Sequence, residues 1–159
     1  MDTLWAPWRL TYIKKAGAGG DGCFLCDHLA AKRDRKHLIL TRGKTCYVIL
    51  NRYPYNVGHL LIAPRAHKAD LSELTKGELL DLMLMTRRMT ALLGRVLKAQ
   101  GHNIGVNLGR VSGAGVPGHL HLHVVPRWSG DTNFMPVIGA TKVMPEALDT
   151  LYGRLKAAL

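Results

Sequence analysis

Three histidines alternate with apolar residues in the segment GHLHLHVVPRW, residues 118–128. Successive side chains of a β-strand point to opposite faces, so His119, His121 and His123 would stand in one row, each about 6 to 7 Å from the next. The residues between them would face an apolar core on the other side: Leu120, Leu122 and Val124. The segment therefore predicts a strand with one apolar face and one face that carries three imidazoles.

The length and composition indicate one compact domain. A chain of 159 residues with 47% hydrophobic residues buries roughly 70% of its unfolded surface. We expect an N-terminal arm over residues 1–22, a core over 23–128 and a C-terminal extension over 129–159. No run approaches the ~18 apolar residues of a membrane span, and residues 1–15 lack the apolar core of a signal peptide. A soluble, cytoplasmic protein without membrane contact is the expectation.

The charge balance favours an anionic partner. The chain has 22 Lys and Arg against 11 Asp and Glu, a formal net charge of +11. The densest basic run, residues 32–36, is interrupted by Asp34 and has no aromatic neighbour on which bases could stack. Nucleotides or polyphosphates are therefore better candidates than nucleic acid.

The first half of the core contains a short helix and a hairpin. We expect a short helical piece that begins at Cys23 and Cys26 and ends near Lys36. Two apolar runs, Cys46–Leu50 and His59–Pro64, flank the turn-forming sequence NRYPYNVG. We expect them to pair as antiparallel strands.

The second half predicts two more helices around the histidine strand. Thr75 and Glu78 fit a capping box, and a helix is expected from there to Gly101. Its apolar stripe would comprise Leu79, Leu82, Met83, Met89, Leu93, Val96 and Leu97. A strand over 103–108 and a glycine-rich loop over 109–118 follow. Pro145 fits the first turn of a final helix, whose apolar stripe would comprise Leu148, Leu151, Tyr152, Leu155 and Leu159. This order predicts an α+β fold with an antiparallel sheet.

The chemistry of the histidine row has three interpretations. The rings could lie on a partly solvated edge strand. Two of them could share a metal, but all three span about 13 Å, too far for a single ion with metal–nitrogen bonds of about 2 Å. In the third interpretation the middle ring, His121, attacks phosphorus while its neighbours donate hydrogen bonds, and the glycine-rich loop offers N–H groups to the anion.

The segment HLHLHVV resembles the signature of the histidine-triad (HIT) family, and the likeness extends from Cys23 to Trp128. It implies a homodimeric α+β nucleotide hydrolase or transferase that forms a nucleotidyl-histidine intermediate. By this resemblance His121 is the nucleophile and His123 contacts the phosphate. Asn51 matches the family position that holds the ribose, and Asn107 matches a polar residue near the α-phosphate. His59 matches a histidine that supports the histidine row.

The loop before the triad departs from the family pattern. Family members commonly have Gly-Gln-Ser/Thr where this chain has Ala114, Gly115 and Val116. Ser112, or the main-chain N–H groups of Gly115 and Val116, would then contact the phosphate.

Both flanks of this core resemble a bacterial subgroup that includes diadenosine tetraphosphate phosphorylases. In the C-terminal flank three residues could shape a second nucleotide's site, although packing is an equal alternative for the two aromatic rings: Trp128, Asn133 and Phe134.

The motif Cys23-x-x-Cys26 suggests metal or redox chemistry, since an odd count of three cysteines in a cytosolic chain does not favour a disulfide framework. The pair supplies two of the four ligands that zinc requires, and two reduced cysteines packed as apolar groups are the alternative. Zinc-bearing relatives of the HIT family pair such a motif with two histidines that match His67 and His119. The resemblance thus implies a structural Cys₂His₂ zinc site, in which His119 supports the catalytic strand.

The function expected from the sequence is cleavage of a dinucleoside polyphosphate, such as diadenosine tetraphosphate, at the α-phosphate anhydride. The alternatives are a phosphorylase that uses inorganic phosphate, a non-catalytic nucleotide- or RNA-binding module, and a metal sensor centred on the cysteine pair. A divalent metal could assist by neutralising the substrate phosphates.

Overall fold

A computed structural model describes residues 22–132, 144 and 146–159 of the chain. Residues 1–21 of the expected N-terminal arm lie outside the described residues, as do Asn133, Phe134 and Pro145. In chain order the elements are α1 (Phe24–Ala30), α2 (Asp34–His37), β1 (Ile39–Arg42), β2 (Cys46–Leu50), β3 (Leu60–Pro64), α3 (Lys76–Leu97), β4 (Gly101–Val106), β5 (Leu122–Arg127) and α4 (Leu148–Ala157). Among these residues, no helix is long and apolar enough to span a membrane.

The five strands form one antiparallel sheet in the order β1-β2-β3-β5-β4. The predicted α+β fold and the β2–β3 hairpin are confirmed, and Leu50 pairs with Leu60 where the two strands meet the turn. Two boundaries differ from the prediction: β3 begins at Leu60 instead of His59, and β4 occupies residues 101–106 instead of 103–108. β1 is not predicted from the sequence, because a pattern of four residues is too short to indicate a strand.

The histidine strand begins later than the alternation predicts. β5 starts at Leu122, so His119 and His121 lie in the irregular segment just before it and only His123 lies within the strand. The N–H of Leu120 donates to the Lys68 carbonyl at 2.7 Å, which ties this segment to the chain beyond β3. The apolar side is as expected, because Leu120, Leu122 and Val124 are all buried in the core.

The long helix α3 covers one face of the sheet. Its capping box is confirmed, with the N–H of Glu78 donating to the Thr75 hydroxyl oxygen at 3.3 Å and that of Thr75 to the Glu78 carboxylate at 2.8 Å. The predicted apolar stripe is partly wrong, since Leu79 and Met83 are 37% and 58% exposed. The buried face consists of Leu82, Met85, Thr86, Met89, Leu92 and Leu93.

The end of α3 is also different from the prediction. The helix stops at Leu97, Lys98 adopts a left-handed conformation with φ of 54°, and Gly101 opens β4. Trp128 donates from its indole nitrogen to the carbonyls of Leu97 and Lys98 at 3.2 and 3.0 Å. These bonds satisfy carbonyls that lack partners at a helix C-terminus, so Trp128 caps the end of α3.

The predicted final helix is present, but it begins later in the chain than expected. α4 begins at Leu148 with Ala147 as its N-cap, and the prediction for Pro145 falls outside the described residues. Leu151, Tyr152 and Leu155 are buried, and the Tyr152 hydroxyl donates to the Ile39 carbonyl at 3.1 Å. The helix thereby fixes β1 at the edge of the sheet.

Glu78 gives the fold a pH dependence that can be measured. Its carboxylate accepts two bonds from the Lys68 ammonium at 2.7 and 2.9 Å in addition to the capping bonds, and these lower the pKa of Glu78 from 4.5 to about 2. A depressed carboxyl pKa stabilises the fold above the unfolded pKa, and that stability is lost as the pH falls through the folded pKa. Glu78→Gln should therefore lower the free energy of unfolding at pH 7, and the difference from wild type should shrink between pH 4.5 and about 2.

Urea unfolding at pH 7, 4 and 2.5 would measure this. Asp149→Asn is the matched control, because its ion pair with Arg35 has side chains 69% and 65% exposed and is expected to contribute little. An equal difference for Glu78→Gln at every pH would contradict the prediction.

Candidate active site and metal-binding cluster

His121 is held in one neutral tautomer. Its Nδ1 lies 2.8 Å from the carbonyl oxygen of His119, and because a carbonyl can only accept, the hydrogen of the neutral ring is on Nδ1. Nε2 therefore carries the lone pair. The residue is 6% exposed, and burial lowers the pKa of His121 below the usual histidine value. At neutral pH this ring thus has a nucleophilic nitrogen in a fixed orientation.

A chain of hydrogen bonds gives His123 the opposite tautomer. The main-chain N–H of Tyr55 donates to His59 Nδ1 at 3.1 Å, which leaves the His59 hydrogen on Nε2. That atom lies 2.9 Å from His123 Nδ1 and donates to it. The hydrogen of His123 is consequently on its own Nε2. His123 is therefore a hydrogen-bond donor beside the His121 ring.

The hairpin turn supports this chain of bonds. Asn51, the first residue after β2, places its amide nitrogen 3.2 Å from His59 Nδ1 and accepts the N–H of Tyr53 at 2.9 Å. His59 is fully buried. The structure thus brings Asn51 and His59, both singled out in the sequence, to the same end of the histidine row.

Aromatic stacking extends the row to a residue that the sequence analysis missed. The ring centroids of His121 and His123 are 5.0 Å apart. Tyr55 stacks on His123 at 5.9 Å with an interplanar angle of 15° and lies 4.7 Å from His59. The signal available in the sequence was a pair of tyrosines, Tyr53 and Tyr55, in a turn that also contains Pro, Asn and Gly. Only the folded hairpin places the Tyr55 ring against the histidines.

His119, the first histidine of the triad, is turned away from the others. Its Nε2 donates to the Pro64 carbonyl at 2.9 Å, so the unprotonated nitrogen of the neutral ring is Nδ1. Nδ1 lies 3.2 Å from the Cys23 sulfur and 3.4 Å from the Cys26 sulfur. The residue is fully buried. The structure therefore groups His119 with the cysteines, whereas the row itself consists of His121, His123 and His59.

Four side chains form a cluster that can hold a metal ion. One donor atom from each of Cys23, Cys26, His67 and His119 lies within 4.8 Å of the others, and His67 Nδ1 is 3.4 Å from the Cys26 sulfur. The beginning of α1 brings both cysteines together, with Cys23 as its N-cap. Burial and the adjacent Cys23 raise the pKa of Cys26 to about 11. A bound cation would offset this cost and permit the thiolate that a metal requires.

The loop before the triad makes hydrogen bonds mainly within its own segment of the chain. Ser112 is exposed and donates its hydroxyl hydrogen to the Gly109 carbonyl at 2.8 Å, inside a 3-10 turn. The Val116 carbonyl accepts the N–H of His119 at 3.2 Å. Gly115, Val116 and Asn107 are half-buried. Their contacts to phosphate remain predictions.

Comparisons with known proteins agree with this geometry. A family model described as HIT domain matches residues 32–130. The chain is 37% identical over 154 residues to AP-4-A phosphorylase of Mycobacterium tuberculosis, across 93% of this chain and 79% of that protein. It is 33% identical over 93 residues to the asymmetrical bis(5'-nucleosyl)-tetraphosphatase of Schizosaccharomyces pombe, across 58% and 50% of the two chains.

A solved structure has the same fold. A zinc-bound histidine triad family protein from Mycobacterium smegmatis matches with a TM-score of 0.70, over 88% of this chain and 94% of that chain, at 24% identity. This likeness extends beyond the residues of the domain match and includes most of the elements described above.

Proposed function

The chain belongs to the HIT family, and we propose that it is an enzyme that cleaves a dinucleoside polyphosphate, such as diadenosine tetraphosphate, by transferring a nucleotidyl group to His121. One observation carries this proposal: the Nδ1 hydrogen bond to the His119 carbonyl leaves a lone pair on Nε2 of a neutral, buried imidazole. The names of the two relatives, a phosphorylase of AP-4-A and a tetraphosphatase, support the substrate class.

The reaction has two steps. In the first, His121 Nε2 attacks the α-phosphorus, a P–N bond forms, and the bond to the bridging oxygen breaks with its electron pair leaving on the polyphosphate. The Nε2 hydrogen of His123 is donated toward the charge that develops on oxygen. The Nδ1 hydrogen of His121 stays bonded to the His119 carbonyl, which stabilises the positive ring. In the second step an acceptor attacks the phosphorus and the P–N bond breaks.

The remaining residues have supporting roles in this proposal. Asn51, which matches the family position that holds the ribose, lies beside His59 at the end of the row and would take that role here. Asn107, Ser112 and the N–H groups of Gly115 and Val116 would contact the phosphates. A divalent cation bound with the substrate would neutralise part of its charge. A non-catalytic binding module is less well supported, since binding alone does not require a nucleophile in a fixed tautomer.

Phosphate as the acceptor is a second candidate, because the relative that matches 93% of the chain is named a phosphorylase. Water would release a nucleoside monophosphate, whereas inorganic phosphate would release a nucleoside diphosphate. Assays of diadenosine tetraphosphate with and without phosphate, with products identified by mass, distinguish the two. A phosphorylase stalls without phosphate and a hydrolase does not.

His121→Ala should abolish this activity. We expect kcat to fall at least about a thousandfold, because the variant lacks the nucleophile. The fold should persist, since His121 lies outside the apolar core cluster. Turnover and acid-labile labelling of the protein by substrate would be measured, with His37→Ala as a control at a half-buried histidine of α2. A folded His121→Ala protein that keeps its turnover would refute the mechanism.

We also propose that the cluster of Cys23, Cys26, His67 and His119 binds a structural zinc ion. Ligands at 2.0 to 2.3 Å from one zinc in tetrahedral geometry lie about 3.5 Å apart, close to the three sulfur–nitrogen distances of 3.2 to 3.4 Å. The zinc-bound histidine triad protein of Mycobacterium smegmatis, which has the same fold, supports this proposal. When bound, the ion would supply a cross-link between α1, the chain after β3 and His119.

Cys26→Ser should lose this metal. We expect about one zinc per chain in the wild type and less than half of that in the variant, together with a lower Tm, because a tetrahedral site loses a thiolate ligand. Elemental analysis and thermal unfolding measure both. Cys46→Ala is the matched control, since Cys46 is a buried cysteine whose sulfur contacts the Asp81 carbonyl outside the cluster. Equal zinc in all three proteins would contradict the assignment.

A homodimer through the edge of the sheet is the third proposal. β4 is an edge strand, and Ile104 on it is 49% exposed. Ile104 pairs with Val124, which faces the core, so its side chain lies on the helix-bearing side of the sheet. Apolar side chains are also exposed on α3: Leu79, Leu80, Met83 and Leu84. A second copy that pairs with β4 would cover an open edge and an apolar surface together.

Ile104→Lys combined with Met83→Glu should shift the protein to monomers, because both charges would be buried in the interface. Light scattering during size-exclusion chromatography would give the mass. Val111→Lys, at a fully exposed apolar residue on the 3-10 turn before the triad, is the control and should keep the wild-type mass. A wild-type mass of 17.5 kDa would exclude the dimer.

A further inference from the structure

A cavity of about 320 Å³ lies on the same side of the sheet as the histidine row. The residues that matter for its chemistry are Tyr55, Asn103, Val125, Arg127 and Thr132. We infer that this cavity holds the second nucleoside of a dinucleoside polyphosphate, the part that leaves with the polyphosphate chain. The inference rests on the function proposed above and adds a binding site to it.

The position of the cavity follows from strand alternation. His123, Val125 and Arg127 point to one side of β5, and Asn103 on β4 pairs with Val125. Val125 lies four residues beyond His121, a distance of about 13 Å along an extended chain. An extended polyphosphate covers a distance of this order. A nucleoside at the far end of the substrate would therefore reach the cavity while the α-phosphate lies at His121.

Tyr55 connects the cavity to the catalytic row. Its ring stacks on His123 and also lines the cavity, and 40% of the residue is exposed. Tyrosine rings are platforms on which bases of any identity stack. The ring thus offers a planar surface at the point where the phosphate chain would end.

Hydrogen bonds within the protein already hold the polar side chains that line the cavity. The Asp131 carboxylate accepts from Arg127 at 2.6 and 3.0 Å and from the Asn56 amide at 2.9 Å. Arg127 in turn donates to the Asn103 amide oxygen at 2.7 Å, which leaves the NH₂ group as the donor end of Asn103. These contacts fix the donors of the wall before a ligand arrives.

The charge of this wall suits a nucleoside better than a phosphate. Arg127 is paired with a carboxylate whose side chain is 8% exposed, so the charges offset one another. A phosphate group would require an uncompensated cation. Amide, hydroxyl and guanidinium donors beside an aromatic ring instead fit the neutral hydroxyl and base groups of a nucleoside. The volume of about 320 Å³ is within the range of small-molecule sites.

The test compares diadenosine tetraphosphate with adenosine 5'-tetraphosphate, which lacks the second nucleoside and ends in a free phosphate. Binding would be measured by calorimetry in the His121→Ala background, where neither ligand is consumed. We expect the dinucleotide to bind more tightly. Asn103→Trp, which fills the cavity, should weaken dinucleotide binding about tenfold and reduce the preference over the mononucleotide by a similar factor. Thr132→Trp fills the same cavity from an exposed loop and should act in the same direction without altering a strand.

Lys44→Trp is the matched control, because it adds a tryptophan at an exposed turn between β1 and β2. It should keep the wild-type preference. An unchanged preference in both cavity variants, or equal binding of the two ligands by the unfilled protein, would overturn the inference. Turnover by proteins that retain His121 reports separately on catalysis. A preference that the cavity variants remove, without any turnover, would therefore refute the proposed function and support the nucleoside site.

Discussion

The hydrogen bond from His121 Nδ1 to the carbonyl oxygen of His119 is the interaction on which the site depends. It fixes the tautomer of a buried ring, and it determines which nitrogen can attack. The same residue, His119, directs its own ring into the cluster with Cys23 and Cys26. His119 therefore contacts His121 through its main-chain carbonyl and the cysteines of the cluster through its ring.

The rest of the fold holds that residue in place. Its ring donates to the Pro64 carbonyl at the end of β3, and its N–H donates to the Val116 carbonyl. The next residue, Leu120, donates to Lys68, whose ammonium is bound by Glu78 at the start of α3. The capping box of the long helix is thus linked through Lys68 and Leu120 to the segment that carries the His121 ring.

The two faces of the sheet differ in chemistry: one is apolar, and the other carries the histidines and the cavity. The apolar side packs Leu120, Leu122 and Val124 against the core, and this packing fixes the register of the histidine segment. The other side carries imidazoles with alternating tautomers, then the cavity beside Val125 and Arg127. β5 is antiparallel to both neighbours and begins directly after His121, so the chain runs from that ring through His123 to the cavity. A long, two-ended substrate matches that arrangement.

The sequence by itself determined the features whose cause is local. Alternation predicted the apolar face of β5, the Thr75 and Glu78 pair predicted the start of α3, and the resemblance identified the residues around His121. Tertiary structure decided the rest. His119 leaves the row for a cysteine 96 residues away, Tyr55 stacks on His123, and α3 ends at Leu97 where Trp128 binds its carbonyls. Each of these depends on contacts between segments distant in sequence, and a local pattern of residues contains no information on which distant groups will meet.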